Sequence, residues 1–349
     1  MAALDGCIDY VIGIDTHRDS HTAALLDARG GLCAIATVST DRAGARKLLA
    51  LASEKAQGRR IWALEGSGSY GAGLARFLGE QGEWLIEVDR PRRARPRGGA
   101  KSDELDALRA AREALARERL GQPRRGGERE ALRVLLAARE GAVHAQTEAL
   151  CQFAALILIA PERLRAKLRG ASRRAQVAKA ARLRCCPTQS IEQAATILAL
   201  RSIARRALAL QAEARAYQAQ LAGLVSRLAP ALLAEPGVGI ISAARILCVW
   251  SHAGRIHSEA AFASLAGAAP IPASSGLRVR HRLNRGGDRQ LNRALHTVAL
   301  SRLLHDPETR AYAERRQAEG KSIREIRRCL KRYLARRFFR LLEAMPQPA

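Results

Sequence analysis

Four carboxylates fall where a metal-dependent reaction would place them. Asp15 closes the apolar run Val11-Ile12-Gly13-Ile14-Asp15, and Glu65 closes Ile61-Trp62-Ala63-Leu64-Glu65. Both runs have the length and composition of buried strands. Asp103 and Asp106 lie three apart in Lys101-Ser102-Asp103-Glu104-Leu105-Asp106-Ala107, so a helix carries both on one face. Four negative groups at one end of a sheet repel one another unless cations sit between them, which is the arrangement of a divalent-metal phosphoryl-transfer site. For any single acid, a strand end, a helix cap or a solvated helix face is the ordinary explanation. Three elements in this order, on a protein this basic, favour the metal site, with Glu104 a solvated neighbour. His17 and His21 flank Asp15, but packing or surface roles are commoner for such histidines and neither is taken as a ligand.

The partner is written in the charge. Lys and Arg number 59 against 33 Asp and Glu, a net +26 over 349 residues, and arginine's planar fork suits phosphate. A polyanion, nucleic acid above all, is the expected partner. Aromatics are only 4%, so phosphate contacts and shape reading are expected ahead of base stacking. The loop Arg90 to Gly99 carries Arg92, Arg93, Arg95 and Arg97 just before Lys101 and Asp103, a nucleic-acid contact in the making. The seven cysteines have no zinc-ligand spacing, which fits a reduced, intracellular protein. No secretory signal and no unbroken apolar run of membrane length is read, so no membrane partner is expected.

Those acids need a scaffold. Strands are expected at Tyr10 to Asp15, Ser20 to Leu26 and Leu32 to Thr37, the last two joined by turn chemistry at 27–31. A helix capped by Asp41 runs to about Gln57. A strand at Ile61 to Leu64, a helix from Ser69 to about Glu80, a strand at Trp84 to Val88 and a helix capped by Ser102 follow. A meander and then alternating helices and strands is an α/β order. It matches a ribonuclease-H-like plan, in which the first and fourth strands are neighbours and Asp15 comes beside Glu65. This domain spans 1–122.

From 123 to 229 the composition of Ala, Leu, Arg, Glu and Gln favours long helices, divided at Pro161 and Pro187. Ile191, Leu198, Ile203, Leu208, Tyr217, Leu221, Leu224 and Leu228 follow a loosely helical spacing, read as a helical arm or coiled coil suited to self-association; a plain buried helix pair fits nearly as well. The last domain, 230–349, is mostly α. Pro236-Gly237-Val238-Gly239 reads as a helix-hairpin-helix turn, with backbone N–H groups at Gly237 and Gly239 free for phosphate; an ordinary helix-linking turn is the alternative. The segment 270–288 carries Ser274, Ser275, Arg278, Arg280, Arg282 and Arg285, and the last helix, about 322–342, is rich in arginine.

These residues resemble a known family. Gly13-Ile14-Asp15 with His21-Thr22, Leu64-Glu65-Gly66 with Ser69-Tyr70, and Lys101-Ser102-Asp103 with Asp106-Ala107 look like the DEDD domain of IS110-type insertion-sequence transposases. Pro236 to Gly239, Ala273-Ser274-Ser275-Gly276, Arg285-Gly286-Gly287-Asp288 and Leu291-Asn292-Arg293 look like that family's C-terminal transposase domain. The middle is matched only in helical character. The resemblance implies a RuvC-like domain binding Mg2+ (or Mn2+) through Asp15, Glu65, Asp103 and Asp106. It also implies a serine nucleophile that joins covalently to DNA. The serine directly before glycine is Ser275, with Ser274 as the fallback. RNA-guided members, the bridge recombinases, pair a noncoding RNA with both donor and target DNA and assemble as dimers and tetramers. This chain departs from many members in carrying Gly276-Leu277-Arg278 where they have lysine after the glycine, which makes Arg278 a phosphate contact in its place.

Read without the family, a serine before glycine is ordinary turn chemistry, and His257 and His281 are not at diagnostic spacing for a base. What favours a nucleophile is the surrounding Arg278, Arg280, Arg282 and Arg285, able to offset developing phosphate charge. The alternatives are a RuvC-like nuclease (a junction resolvase) working by hydrolysis and a non-catalytic nucleic-acid-binding protein. Gly13-Ile14-Asp15 also opens actin-like sugar kinases, against which the charge argues.

Overall fold

The N-terminal apolar runs become one mixed five-stranded sheet. The computed structural model describes residues 8–88, 102–117, 121–170, 172–187, 189–274 and 281–345, and the chain divides into two units, 1–126 and 127–349.

In the first unit β1 (Tyr10–Thr16), β2 (Ser20–Asp27) and β3 (Leu32–Ser39) form an antiparallel meander. Helix α1 (Arg42–Lys55) starts on Asp41, whose carboxylate accepts from the Gly44 amide at 2.7 Å. Then come β4 (Arg60–Glu65), α2 (Ala72–Glu80), β5 (Trp84–Val88) and α3 (Asp103–Ala116). The sheet order is β3-β2-β1-β4-β5, with β1 parallel to β4 and β4 parallel to β5, so the first and fourth strands are neighbours. The helix expected from Ser69 begins at Ala72 instead. Gly66 takes φ +76°, and the Ser69 amide and hydroxyl both donate to the Gly66 carbonyl, spending the intervening residues on a turn.

Strand parity decides which face each side chain joins. Ile12, Ile14, Ala23, Leu25, Trp62 and Leu64 pack with Leu48 of α1 and Leu78 of α2. Val11, Leu26, Ile61, Ala63 and Ile86 pack against Ala110, Ala111 and Ala114 of α3. Asp15 and Glu65 share the parity of Val11 and Ile61 and so look toward α3.

Among its described residues the second unit is helical apart from one short ribbon. Helix α4 (Glu128–Ile159) and the 38-residue α7 (Ile191–Leu228) lie antiparallel, with α5 (Glu162–Leu168) and α6 (Arg173–Ala180) between them in sequence. Arg206 donates to Gln152 at 2.6 Å, Arg139 reaches Gln218 at 3.1 Å, and Arg227 pairs with Glu128. The seam differs from the one expected. Ile191, Leu198 and Leu208 are exposed, whereas Ile197, Leu200, Ala204, Ala207, Ala214, Leu221 and Val225 are buried. Leu200, Ala207, Ala214 and Leu221 recur every seventh residue, so the heptad is regular once alanine is allowed to carry it. Helix α4 is also the one described helix long and apolar enough for a membrane span by length and composition, its best 18-residue window having mean hydropathy 1.4. The sequence expectation of none rested on unbroken apolar runs, which His144, Gln146, Glu148 and Gln152 interrupt.

The remaining elements are α8 (Pro230–Leu233), α9 (Ile240–Trp250), α10 (Glu259–Leu265), β6 (Ile271–Pro272), β7 (His281–Arg282), α11 (Arg289–His305), α12 (Pro307–Ala318) and α13 (Ile323–Glu343). Helix α13 starts with a full capping box between Ser322 and Glu325. One core joins Leu132, Leu136, Leu221 and Val225 to Phe262, Leu295, Phe338 and Leu342.

Candidate metal centre

Three local features bring the acids to one edge of the sheet. Asp15 is the one carboxylate of β1, paired across to Thr22. The Thr16 hydroxyl donates to the Glu65 carbonyl at 2.7 Å and pins the ends of β1 and β4 together. Gly13 lets α3 lie against β1: a Cβ there would stand 2.8 Å from the Ala111 Cβ and nearer still to the Ala107 carbonyl. Ser102 caps α3, its hydroxyl accepting from the Leu105 amide at 3.2 Å. Asp103, Glu104 and Asp106 therefore occupy the first turn, where the helix dipole favours them.

Asp15 is 7% exposed, and its Oδ2 is buried without a hydrogen-bond partner. Burial holds its carboxyl above the usual range; His17 opposes this, and Asp106, Asp103 and Glu65 each push further up. Asp15 thus senses the charge of the other three acids. His17, on the same side of β1 as Asp15, places Nδ1 3.7 Å from Asp15 Oδ2 and 3.3 Å from Asp103 Oδ2. One ligand atom each from Asp15, His17 and Asp103 can gather around one ion, and the 3.7 and 3.3 Å separations from His17 lie within the span of about 4.2 Å across an octahedral cation with ligands at about 2.1 Å. Asp106 lies one helical turn along and accepts from Arg109 at 2.7 Å. An orphaned, buried carboxylate oxygen facing a second carboxylate and an imidazole is a donor set that suits a divalent ion. Imidazole also suits transition ions such as Mn2+ better than it suits Mg2+.

Sequence reasoning set His17 aside; it follows directly on β1, and the turn into β2 brings its imidazole back beside Asp15 and Asp103. His21, opposite Thr16 in register, is buried on the α1–α2 side, away from the acids. Glu104 is exposed, as expected of a neighbour.

The other expected contacts divide between described and undescribed residues. Arg92, Arg93, Arg95, Arg97, Lys101, Ser275, Arg278 and Arg280 lie outside the described residues. Ser274, Arg282 and Arg285 are exposed, in or beside the β6–β7 ribbon. Gly237 has φ +76°, and a Cβ on it would stand 3.1 Å from the Ser301 Cβ of α11, so packing as well as turn geometry asks for glycine. Gly239 caps α9 with open space around its Cα.

Comparison with known proteins covers both ends of the chain. Residues 12–160 match a transposase family model of the DEDD, IS110 type, and residues 229–314 match the model described as the transposase IS116/IS110/IS902 family. An IS110 insertion-element protein of 43.6 kDa from Streptomyces coelicolor is 36% identical over 124 residues, 35% of this chain and 31% of the relative. An IS900 insertion-element protein of 42 kDa from Mycobacterium paratuberculosis is 37% identical over 98 residues, 27% of this chain and 24% of the relative. The matched stretches thus span less than a third of either relative's length.

Proposed function

The chain belongs to the IS110-type transposases of insertion elements, and from that premise we propose that it is a DNA recombinase joining donor and target DNA through a serine–DNA linkage. The observation that carries the reading is Asp15 Oδ2, buried without a hydrogen bond, with the His17 imidazole and Asp103 beside it and Glu65 and Asp106 within electrostatic reach. Asp15, Glu65, Asp103 and Asp106 hold the divalent ion, with His17 beside them. When bound, Mg2+ or Mn2+ neutralises charge developing on the scissile phosphate and the departing oxygen. The adjacency of β1 and β4 and the seat of α3 on their face support a RuvC-like, ribonuclease-H-type domain, and the Gly237–Gly239 turn supports a helix-hairpin-helix.

Ser275 Oγ bonds to the scissile phosphorus as the bond to the 3′ oxygen breaks, and the serine proton ends on that oxygen, leaving a 3′ hydroxyl. In the joining step a 3′ hydroxyl of the partner strand attacks the phosphoserine, and its proton returns to Ser275. One phosphorus–oxygen bond forms for each one broken, so no nucleotide is consumed. Arg278, Arg280, Arg282 and Arg285 offset charge on the transferred phosphate, while Arg92, Arg93, Arg95, Arg97, Lys101, Gly237 and Gly239 contact backbone phosphates. The net +26 supports a second polyanion, a noncoding bridge RNA that supplies the sequence reading. The exposed Leu158, Ile159, Ile191 and Leu198 on α4 and α7 support a homo-oligomer, dimer or tetramer. The place of action is the bacterial cytoplasm, on the nucleoid.

The test is a covalent adduct. The full chain, incubated with Mg2+, its flanking noncoding RNA and a labelled duplex spanning the element junction, gives a protein–DNA band on a denaturing gel. Ser275→Ala removes the band and keeps DNA binding; Ser274→Ala keeps both; Asp15→Asn removes the band. Cleavage by Ser275→Ala at the wild-type rate would make water the nucleophile and the chain a hydrolytic nuclease.

A further inference from the structure

The basic helix α13 has two electrostatic halves. Toward its C-terminus the arginines are already paired. Arg336 Nε donates to Glu259 at 2.6 Å, Arg340 lies 3.0 Å from the same carboxylate, and Arg337 grips Glu235 through two bonds of 2.8 and 2.9 Å. Toward its N-terminus Arg324, Arg327, Arg328, Lys331 and Arg332 have no ion pair with a carboxylate among the described residues.

The unpaired half faces further nitrogen donors on α11. Lys331 Nζ donates to Asn292 Oδ1 at 3.0 Å, and Asn292 Nδ2 donates to the Ala266 carbonyl at 2.7 Å, so Asn292 is fixed at both ends. His296, one helical turn beyond Asn292, is held below its usual range by burial and then by Lys331 and Arg327. Lys331 itself is held low by burial and then by Arg328. Arg327 Nε is buried with no partner. Glu325 lies within electrostatic reach of Arg328, but Arg327 and Lys331 have no carboxylate ion pair among the described residues; like charges gathered at a half-buried place cost stability, and an arriving anion relieves that cost.

The surroundings say where the anion comes from. Asn292 also lies against Gly267, and Gly287 is backed so closely onto Gly267 that a Cβ at Gly287 would run into the Gly267 backbone. The Asp288 amide donates to the Leu265 carbonyl at 2.6 Å. The Arg285-Gly286-Gly287-Asp288 turn is thereby clamped beside the cluster, at the foot of the segment that carries Ser274.

We propose that Arg327 and Lys331, with His296 beside them, seat a backbone phosphate of duplex DNA next to that segment, and that Asn292 positions the Lys331 ammonium. The proposal rests on the DNA-recombinase reading for its partner. The paired Arg336, Arg337 and Arg340 hold the fold, while the unpaired Arg327 and Lys331, about one to three turns nearer the N-terminus, hold the nucleic acid.

The experiment is fluorescence anisotropy of the full chain with a labelled 30-bp duplex of arbitrary sequence, between 50 and 200 mM KCl. The expected result is that Arg327→Gln with Lys331→Gln weakens binding about tenfold and lowers the slope of log affinity against log salt by about 1 to 2. Arg336→Gln with Arg340→Gln changes affinity less than threefold but lowers the melting temperature. Charge-keeping Arg327→Lys with Lys331→Arg restores affinity to within threefold of wild type, which separates the loss of a contact from misfolding. Equal losses in the two Gln pairs, or no loss in the first, would overturn the seat and leave the recombinase reading standing. A wild-type chain that binds no duplex would overturn both.

Discussion

Gly13→Ala tests the link between the fold and the metal centre more severely than replacing a ligand. The new Cβ would stand 2.8 Å from the Ala111 Cβ, and closer still to the Ala107 carbonyl oxygen and the Ala111 amide nitrogen. Carbon atoms pack best at about 3.5–4.0 Å, so α3 must retreat by roughly 1 Å. Two of the three obstructing atoms are backbone and cannot rotate away. The facing surface is the closely packed row Ala107, Ala110, Ala111 and Ala114, which opens as one piece. Overpacking of this kind costs about 3 kcal/mol, or roughly 10 °C in the melting of the first unit. The same retreat carries Asp103 and Asp106 away from Asp15, and a displacement of this size at a reacting centre costs about a hundredfold in rate. Thermal unfolding and Mn2+ titration of the full chain, followed by calorimetry, measure both effects. Adding Ala111→Gly should not rescue the variant, since the nearest obstructions are backbone atoms. Unchanged melting and unchanged Mn2+ affinity in Gly13→Ala would refute the claim that α3 is held against β1 by the absence of a side chain.

The remaining predictions concern charge. Asp15 has a raised pKa in the fold, so its contribution to stability is present below the unfolded carboxylate value and is lost as pH rises through the folded one. Metal-free Asp15→Asn should therefore melt above metal-free wild type at pH 7.5, with the gap closing by pH 4, and should show no gain in melting temperature on adding Mn2+; melting curves across pH, with and without Mn2+, check this. His17→Ala should weaken Mn2+ binding about tenfold and Mg2+ binding less, because imidazole nitrogen favours the transition ion; titrations with the two ions, and loss of nitrogen coupling in the pulsed electron paramagnetic resonance of bound Mn2+, decide it. Glu83 accepts from Arg60 Nε at 2.9 Å and from Trp62 Nε1 at 2.7 Å, and Arg60 foremost holds its carboxyl low. Its stabilisation is present above the unfolded carboxylate value and is lost as pH falls through the folded one, and Glu83→Ala should cost about 3 kcal/mol by denaturant unfolding at pH 7. An unfolding midpoint equal to wild type would show that this pair contributes nothing net.

What the sequence disclosed follows from which signals are local. The strands and the caps Asp41 and Ser102 were readable because each depends on a few adjacent residues. The placement of Asp15 beside Glu65 was readable because a meander followed by a crossover leaves β1 free to pair with β4. The seam of α7 was hidden for the opposite reason. A search for large apolar residues selects Ile191, Leu198 and Leu208, which the fold leaves exposed. What decides burial is how closely two backbones approach, and Ala204, Ala207 and Ala214 permit an approach that leucine would prevent.

The same reasoning explains why charge counting could not find the two halves of α13. Pairing there is set by Glu235 and Glu259, about 100 and 77 residues from their arginines. In sequence, Arg327 and Arg337 look alike; only the fold assigns one an acid and leaves the other without. A basic helix in a nucleic-acid-binding chain is therefore not a uniform surface. Its arginines compete for few acids, and those left over at a desolvated place, as Arg327 and Lys331 are, are the ones whose free energy improves most when a phosphate arrives. Under the proposed function, the net charge of the whole chain overstates what DNA would meet, and the unpaired positions are where a salt titration should find its slope.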